Sequence, residues 1–238
     1  MSYLLQTRSS FYSFLFTIPL FFIYEIGILF LSKDDILVVR NGADFLMRSI
    51  LESFGIFGLY GLGAIFLVGF IVTYIFFLKE KNNNNIRADY LFIMIFESVC
   101  WALVLYFLLS KFMLVLMNPI GKTITQKVTL AVGAGIYEEF LFRVMLISGL
   151  TGIIGFVFLW RERARKTAAL IIAAGIFSAF HFVGEYGDYF SIELFLLRFF
   201  AGTILGALYL ARGFGITAYA HSIYDLIVLI QITIHTPL

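Results

Sequence analysis

The chain has 238 residues, of which 61% are hydrophobic, 18% aromatic and only 13% charged. Soluble domains carry about a quarter charged residues. This balance, with a mean hydropathy of +0.98, excludes an ordinary soluble domain and points to a chain that crosses a membrane repeatedly. The formal net charge of +2 is too small to call for nucleic acid, so the excess of Lys and Arg is read as topology information.

A crossing helix needs about 20 apolar residues. On that rule the predicted spans lie near 11–31, 55–78, 90–117, 128–160, 167–183, 190–210 and 213–233. The first follows Arg8 and resembles a signal peptide. It is too long for an h-region, however, and no small-x-small cleavage site follows, so it is read as a retained helix. The stretch 32–55 mixes charge with Leu, Val and Ile and predicts an interfacial amphipathic element. The next connection, LKEKNNNNIRAD (78–89), is a polar loop. Cys100 is the only cysteine; it reads as an inert packing residue, because nothing nearby in sequence would make it a thiolate.

The fourth span is too long for one straight crossing. The expectation is a helix to about Ile147 and a second piece after SGLTGIIG (148–155). WRERARK (160–166) then adds a basic cluster beside Trp160, a residue suited to the membrane interface. Positive-inside reasoning places the N-terminus, the 79–89 loop and 161–166 on the cytoplasmic side. Seven crossings then leave the C-terminus outside, together with Lys111, Lys122 and Lys127, against the rule. The fold class expected is all-α: a polytopic membrane helix bundle of seven or eight transmembrane helices, with no internal repeat. Residues 1–126 form N-terminal membrane helices with the interfacial element, and residues 127–233 form a core that holds the chemistry. Short loops and compact length suggest a bacterial cytoplasmic membrane.

Each charge in a bilayer costs roughly 2.5–3.5 kcal/mol on insertion scales, so each one is a functional candidate. The candidates are Glu25, Glu97, Glu138, Glu139, Arg143, His181, Glu193, Arg198, His221 and Asp225. In YEEFLFR (137–143), Glu139 and Arg143 are four apart, so they share a helical face and can pair. Glu138 lies about 100° around an α-helix from Glu139, and the pair does not account for it. A buried carboxylate there can work as a base. In FSAFH (177–181), Phe177 sits one turn before His181 and can pack on the imidazole, although a membrane histidine also serves simply to bond helices. In HSIYD (221–225), His221 and Asp225 share a face, either as a structural hydrogen bond or with Asp225 orienting the ring. His235 reads as a residue of the C-terminal tail. Glu25, Glu97, Glu193 and Arg198 read as interhelical pairs or interface groups.

Three motifs in this order, E-E-x-x-x-R, F-x-x-x-H and H-x-x-x-[N/D], resemble those of the CPBP family of intramembrane proteases, also called the Abi or CAAX type II protease family. The resemblance covers about 127–232. It implies peptide-bond hydrolysis inside the membrane on a membrane-associated peptide or protein, with CAAX-like substrates among the expectations. By analogy Glu138, helped by His181, activates a water, and His221 with Asp225 stabilises the oxyanion. Glu139 and Arg143 support the site. An ionised Asp cannot donate a hydrogen bond, so Asp225 is expected to act through His221. No cofactor is expected. Zinc is the alternative, since two Glu and two His are possible ligands, but the chain lacks H-E-x-x-H. Two rival readings use the same polar core: a non-catalytic protein of bacteriocin-immunity or partner-binding type, and a transporter with carboxylate proton sites.

Overall fold

The structure, a computed structural model, describes residues 3–31, 42–53, 55, 61–79, 86–109, 123–183 and 187–235, with side chains at 66–79 and to 231 in the fourth and last of the long segments. All regular structure among these residues is helical. The helices are α1 (Tyr3–Thr7), α2 (Ser10–Leu29), α3 (Gly42–Ser53), α4 (Gly61–Lys79), α5 (Ala88–Leu109), α6 (Ile124–Phe158), α7 (Glu162–Phe180), α8 (Ile192–Arg212) and α9 (Phe214–His235). Four of them, α2, α5, α6 and α8, are long and apolar enough to cross a membrane. The protein is an integral membrane helix bundle.

Local chemistry sets the ends. Ser9 caps α2, its side chain accepting from the Tyr12 amide. Thr123 and Gln126 form a reciprocal capping box at the start of α6, satisfying two otherwise orphaned amides. Leu159 ends α6 in the left-handed region with φ of 52°. A single residue, Gly213 with φ of 83°, separates α8 from α9, a conformation glycine adopts without a Cβ penalty.

Two expectations change. The break after Ile147 does not occur: α6 runs 35 residues without interruption, and the glycines of the expected break, at 149, 152 and 155, are all inside the helix. Glycine weakens a helix only by about 1 kcal/mol, too little to stop one that neighbours hold. His235 is the last residue of α9 and not part of a tail. The expected element at 32–55 is described from Gly42 as α3; residues 32–41, and with them Lys111 and Lys122, lie outside the described residues.

The middle of α6 is wound as a π-helix over Ala134–Glu138 and Phe140–Ile147. The i→i+5 bonding turns the chain less per residue than an α-helix does, and such windings are frequent at functional sites. The 100° divergence expected for Glu138 and Glu139 therefore does not apply to the segment as folded.

One core cluster combines Phe11, Tyr12 and Phe16 of α2 with Met94 and Leu105 of α5, Leu205 of α8 and Ile216, Ala220 and Val228 of α9. A second joins α2, α3 and α4 to Ile136 and Tyr137 of α6. Helix α9 thus runs between the N-terminal helices and α6. It reaches α6 closely: a Cβ on Gly135 would collide with the Ser222 hydroxyl and lie 2.5 Å from the Ala218 carbonyl. Small residues that let two backbones approach are the usual basis of helix contact in membranes. This contact sets His221, one turn beyond Ala218, against Glu139, one turn beyond Gly135.

Candidate active site

The π-wound turn of α6 carries Glu138, 8% exposed, and Glu139, fully buried. Glu139 is the junction of the site. One oxygen lies 2.7 Å from Nδ1 of His221, and the other 3.0 Å from Nε of Arg143. It binds its own helix to α9 through a single carboxylate. Because an ionised carboxylate only accepts, Nδ1 of His221 carries the proton in this bond. The ring's other nitrogen, Nε2, faces Asp225 at 3.5 Å, too long for a good hydrogen bond. The short contact that fixes the imidazole therefore comes from Glu139, with Asp225 the more distant neighbour.

Arg143 is itself buried, and its guanidinium lies over the ring of Phe177 at 4.5 Å. Phe177 also meets His181 edge-on, centroids 4.9 Å apart, and packs on Phe142 of α6. The Phe of F-x-x-x-H thus joins the arginine of the first motif to the histidine of the second. It is locked from behind by Gly202 of α8, where a Cβ would come within 2.9 Å of the ring.

His181 caps α7. Its backbone amide turns to the Ser178 carbonyl, and its Nδ1 lies 2.9 Å from the Phe177 carbonyl oxygen. A carbonyl has no proton to give, so Nδ1 donates. The tautomer is fixed, and the neutral ring presents Nε2 as an acceptor. Glu138 lies within electrostatic reach of His181, His221, Asp225 and Arg143. All six residues predicted from the sequence thus meet in one region, contributed by α6, α7 and α9.

Among the described residues, no three His, Cys, Asp or Glu side chains stand together in a metal-holding arrangement. Both nitrogens of His221 face carboxylates, and His181 has committed Nδ1 to a carbonyl.

The other charges have structural partners. Glu97 accepts from Arg212 at 2.5 and 2.8 Å and from the Tyr3 hydroxyl at 2.6 Å. Arg198 pairs with Asp188 and lies over Phe182. Glu193 is exposed beside Ser191. Glu25 accepts from the Tyr137 hydroxyl at 3.0 Å and lies 3.7 Å from Arg48. Sequence reasoning reads Glu25 as an interhelical pair or interface group but misses its partners. On α3, Asp44 is fully buried, 2.6 Å from Arg48 and 2.8 Å from the Tyr24 hydroxyl. The cluster fastens α3 and α2 to Tyr137, the residue next to Glu138. An i, i+4 pattern of Asp44 and Arg48 was the available signal.

Residues 120–227 match the family model described as type II CAAX prenyl endopeptidase Rce1-like. The matched stretch contains all three motifs. This core is similar to the CPBP, or type II CAAX protease, family. No curated protein and no solved structure matches the chain. The matched stretch includes α6, α7 and α8 and most of α9, so every residue of the site lies within it.

Proposed function

We propose that the protein is an intramembrane endopeptidase that hydrolyses a peptide bond of a membrane-associated protein with a water activated by Glu138. The carrying observation is the bridge at Glu139, which brings the E-E-x-x-x-R helix and the H-x-x-x-D helix together with Glu138 on the same turn.

In this reading Glu138 is the general base and Nε2 of His181 orients the attacking water. The water oxygen bonds to the scissile carbonyl carbon while its proton passes to Glu138. The negative charge on the carbonyl oxygen is met by the terminal N–H groups of Arg143, and by Nε2 of His221 when that nitrogen also carries a proton; such donors act strongly in a dry wall. Collapse breaks the C–N bond, and Glu138 returns the proton to the leaving amine. Glu139 positions His221, and Asp225 sets the field at its far nitrogen. No step needs a metal. The substrate class follows the family description: proteins with a CAAX-like end held at the membrane.

Purified protein incubated with candidate membrane peptides tests the reading. Wild type should cleave, and both Glu138→Ala and His181→Ala should lose about 10²- to 10⁴-fold in rate, the usual worth of a positioned base, while remaining folded. Cleavage by Glu138→Ala at the wild-type rate would leave the polar core as a structural or partner-binding device.

A further inference from the structure

The bundle has two chemically different ends. Arg8 precedes α2 and donates to the Leu210 carbonyl at 2.7 Å. Arg212 reaches back to Thr7 at 2.9 Å, and the Arg87 amide donates to the Tyr12 hydroxyl. The basic cluster at 161–166 opens α7 at this same end. His181 lies at the other end of α7, about 28 Å away by helix rise.

At the basic end a cavity of about 340 Å³ opens between α2, the last turns of α6, the start of α7 and the α8–α9 junction. Its cations are Arg8 and Lys166, and its hydroxyls include Ser148, Thr151 and Tyr209. Its floor is apolar, with Phe14, Ile147 and Phe214. Lys166 also pairs with Glu162 on the outer face of α7, so Arg8 is the fixed charge. Ser148 and Tyr209 share a hydrogen bond of 3.1 Å across one wall. The Thr151 hydroxyl is buried and has no hydrogen-bond partner among the described residues. A buried unsatisfied hydroxyl costs on the order of 1–3 kcal/mol and is retained where something else satisfies it.

We propose that this cavity binds the phosphate head of an anionic membrane lipid. Arg8, a Lys166 that can turn in from Glu162, and the unpartnered Thr151 hydroxyl match a phosphodiester, and basic pockets between membrane helices recognise such heads. The apolar floor fits the glycerol and first acyl carbons, which a free phosphate lacks. Exposed Trp160, beside Phe158 at the end of α6, suits the membrane interface, and Phe158 lies about 10 Å of helix rise beyond Thr151. The site lies beyond Arg143 on α6 and is separate from the catalytic turn.

The test uses the full chain in neutral detergent, delipidated and then titrated with phosphatidylglycerol, phosphatidylcholine of the same acyl chains, or inorganic phosphate, with retention read by native mass spectrometry. Phosphatidylglycerol should be retained about tenfold more tightly than phosphatidylcholine, given the gain expected from cations facing an anionic head. Arg8→Gln with Lys166→Gln should erase that preference. Thr151→Val provides a control for folding: removing a hydroxyl that lacks a protein partner should leave the melting temperature of the lipid-free protein unchanged or raised, yet weaken phosphatidylglycerol. Equal retention of both lipids, full displacement by inorganic phosphate, or unaltered preference in the variants would overturn the proposal.

Discussion

The Arg212–Glu97 and Arg143–Glu139 pairs are finished to different degrees. Arg212 and Glu97 form a closed network. The guanidinium contacts both carboxylate oxygens, the Thr7 hydroxyl and the Leu4 carbonyl, and Tyr3 donates to the carboxylate as well. Burial and the Glu97 charge push the Tyr3 phenol up from its ordinary value, so it remains a donor at any physiological pH. Arg143 and Glu139 are more deeply buried, yet both terminal nitrogens of Arg143 lack a hydrogen-bond partner among the described residues. Unpaired donors of a buried cation are expensive. The closed pair is architecture. The open pair keeps donors in reserve, as a site must if it is to stabilise charge that appears only during a reaction.

The largest expected consequence of that difference comes from Glu139→Gln. It removes the charge shared by Arg143 and His221. Breaking a buried pair costs about 3–5 kcal/mol, and the misplaced imidazole should cost about hundredfold or more in cleavage rate. Thermal unfolding and a peptide assay should both register it. Glu97→Gln is the matching change in the closed pair and is expected to register in one readout only. It should lower stability by about 1–3 kcal/mol while leaving turnover per folded molecule unchanged; loss of turnover there would dissolve the distinction between the two pairs. Asp225→Asn should cost about tenfold in rate, the lower range for a group acting beside the reacting atoms. Full retention would mean that Glu139 alone fixes His221. The smallest effect expected is none: exhaustive chelation should leave cleavage intact and elemental analysis should find no bound zinc. Loss of activity restored by zinc would assign the carboxylates to a metal instead.

The catalytic candidates were legible because charge is conspicuous against an apolar background. Glu138, Glu139, Arg143, His181, His221 and Asp225 needed only their spacing and order to be singled out, and the helical class followed from composition. What stayed hidden depends on contacts between distant parts of the chain. Glu97 and Arg212 are 115 residues apart in sequence, and nothing local couples them. Glu139 could be paired with Arg143 from spacing, but not with His221, because that contact depends on how closely α9 approaches Gly135. The π-winding was equally out of reach, since a hydropathy pattern assumes α periodicity. The expected break near 148–155 failed for a related reason: Gly-rich sequence signals weak helix, while neighbouring helices decide whether the weakness is expressed.

Helix α3 has a consequence for how the molecule assembles. It turns Asp44 and Arg48 inward and leaves Phe45 and Ile50 outward, the reverse of a helix built for water. Its two charges pair with each other, but the groups that complete the cluster, Tyr24, Glu25 and Tyr137, come from α2 and α6. Tyr137 is synthesised some ninety residues later than Arg48. The cluster that seats α3 is therefore complete only when α6 is in place.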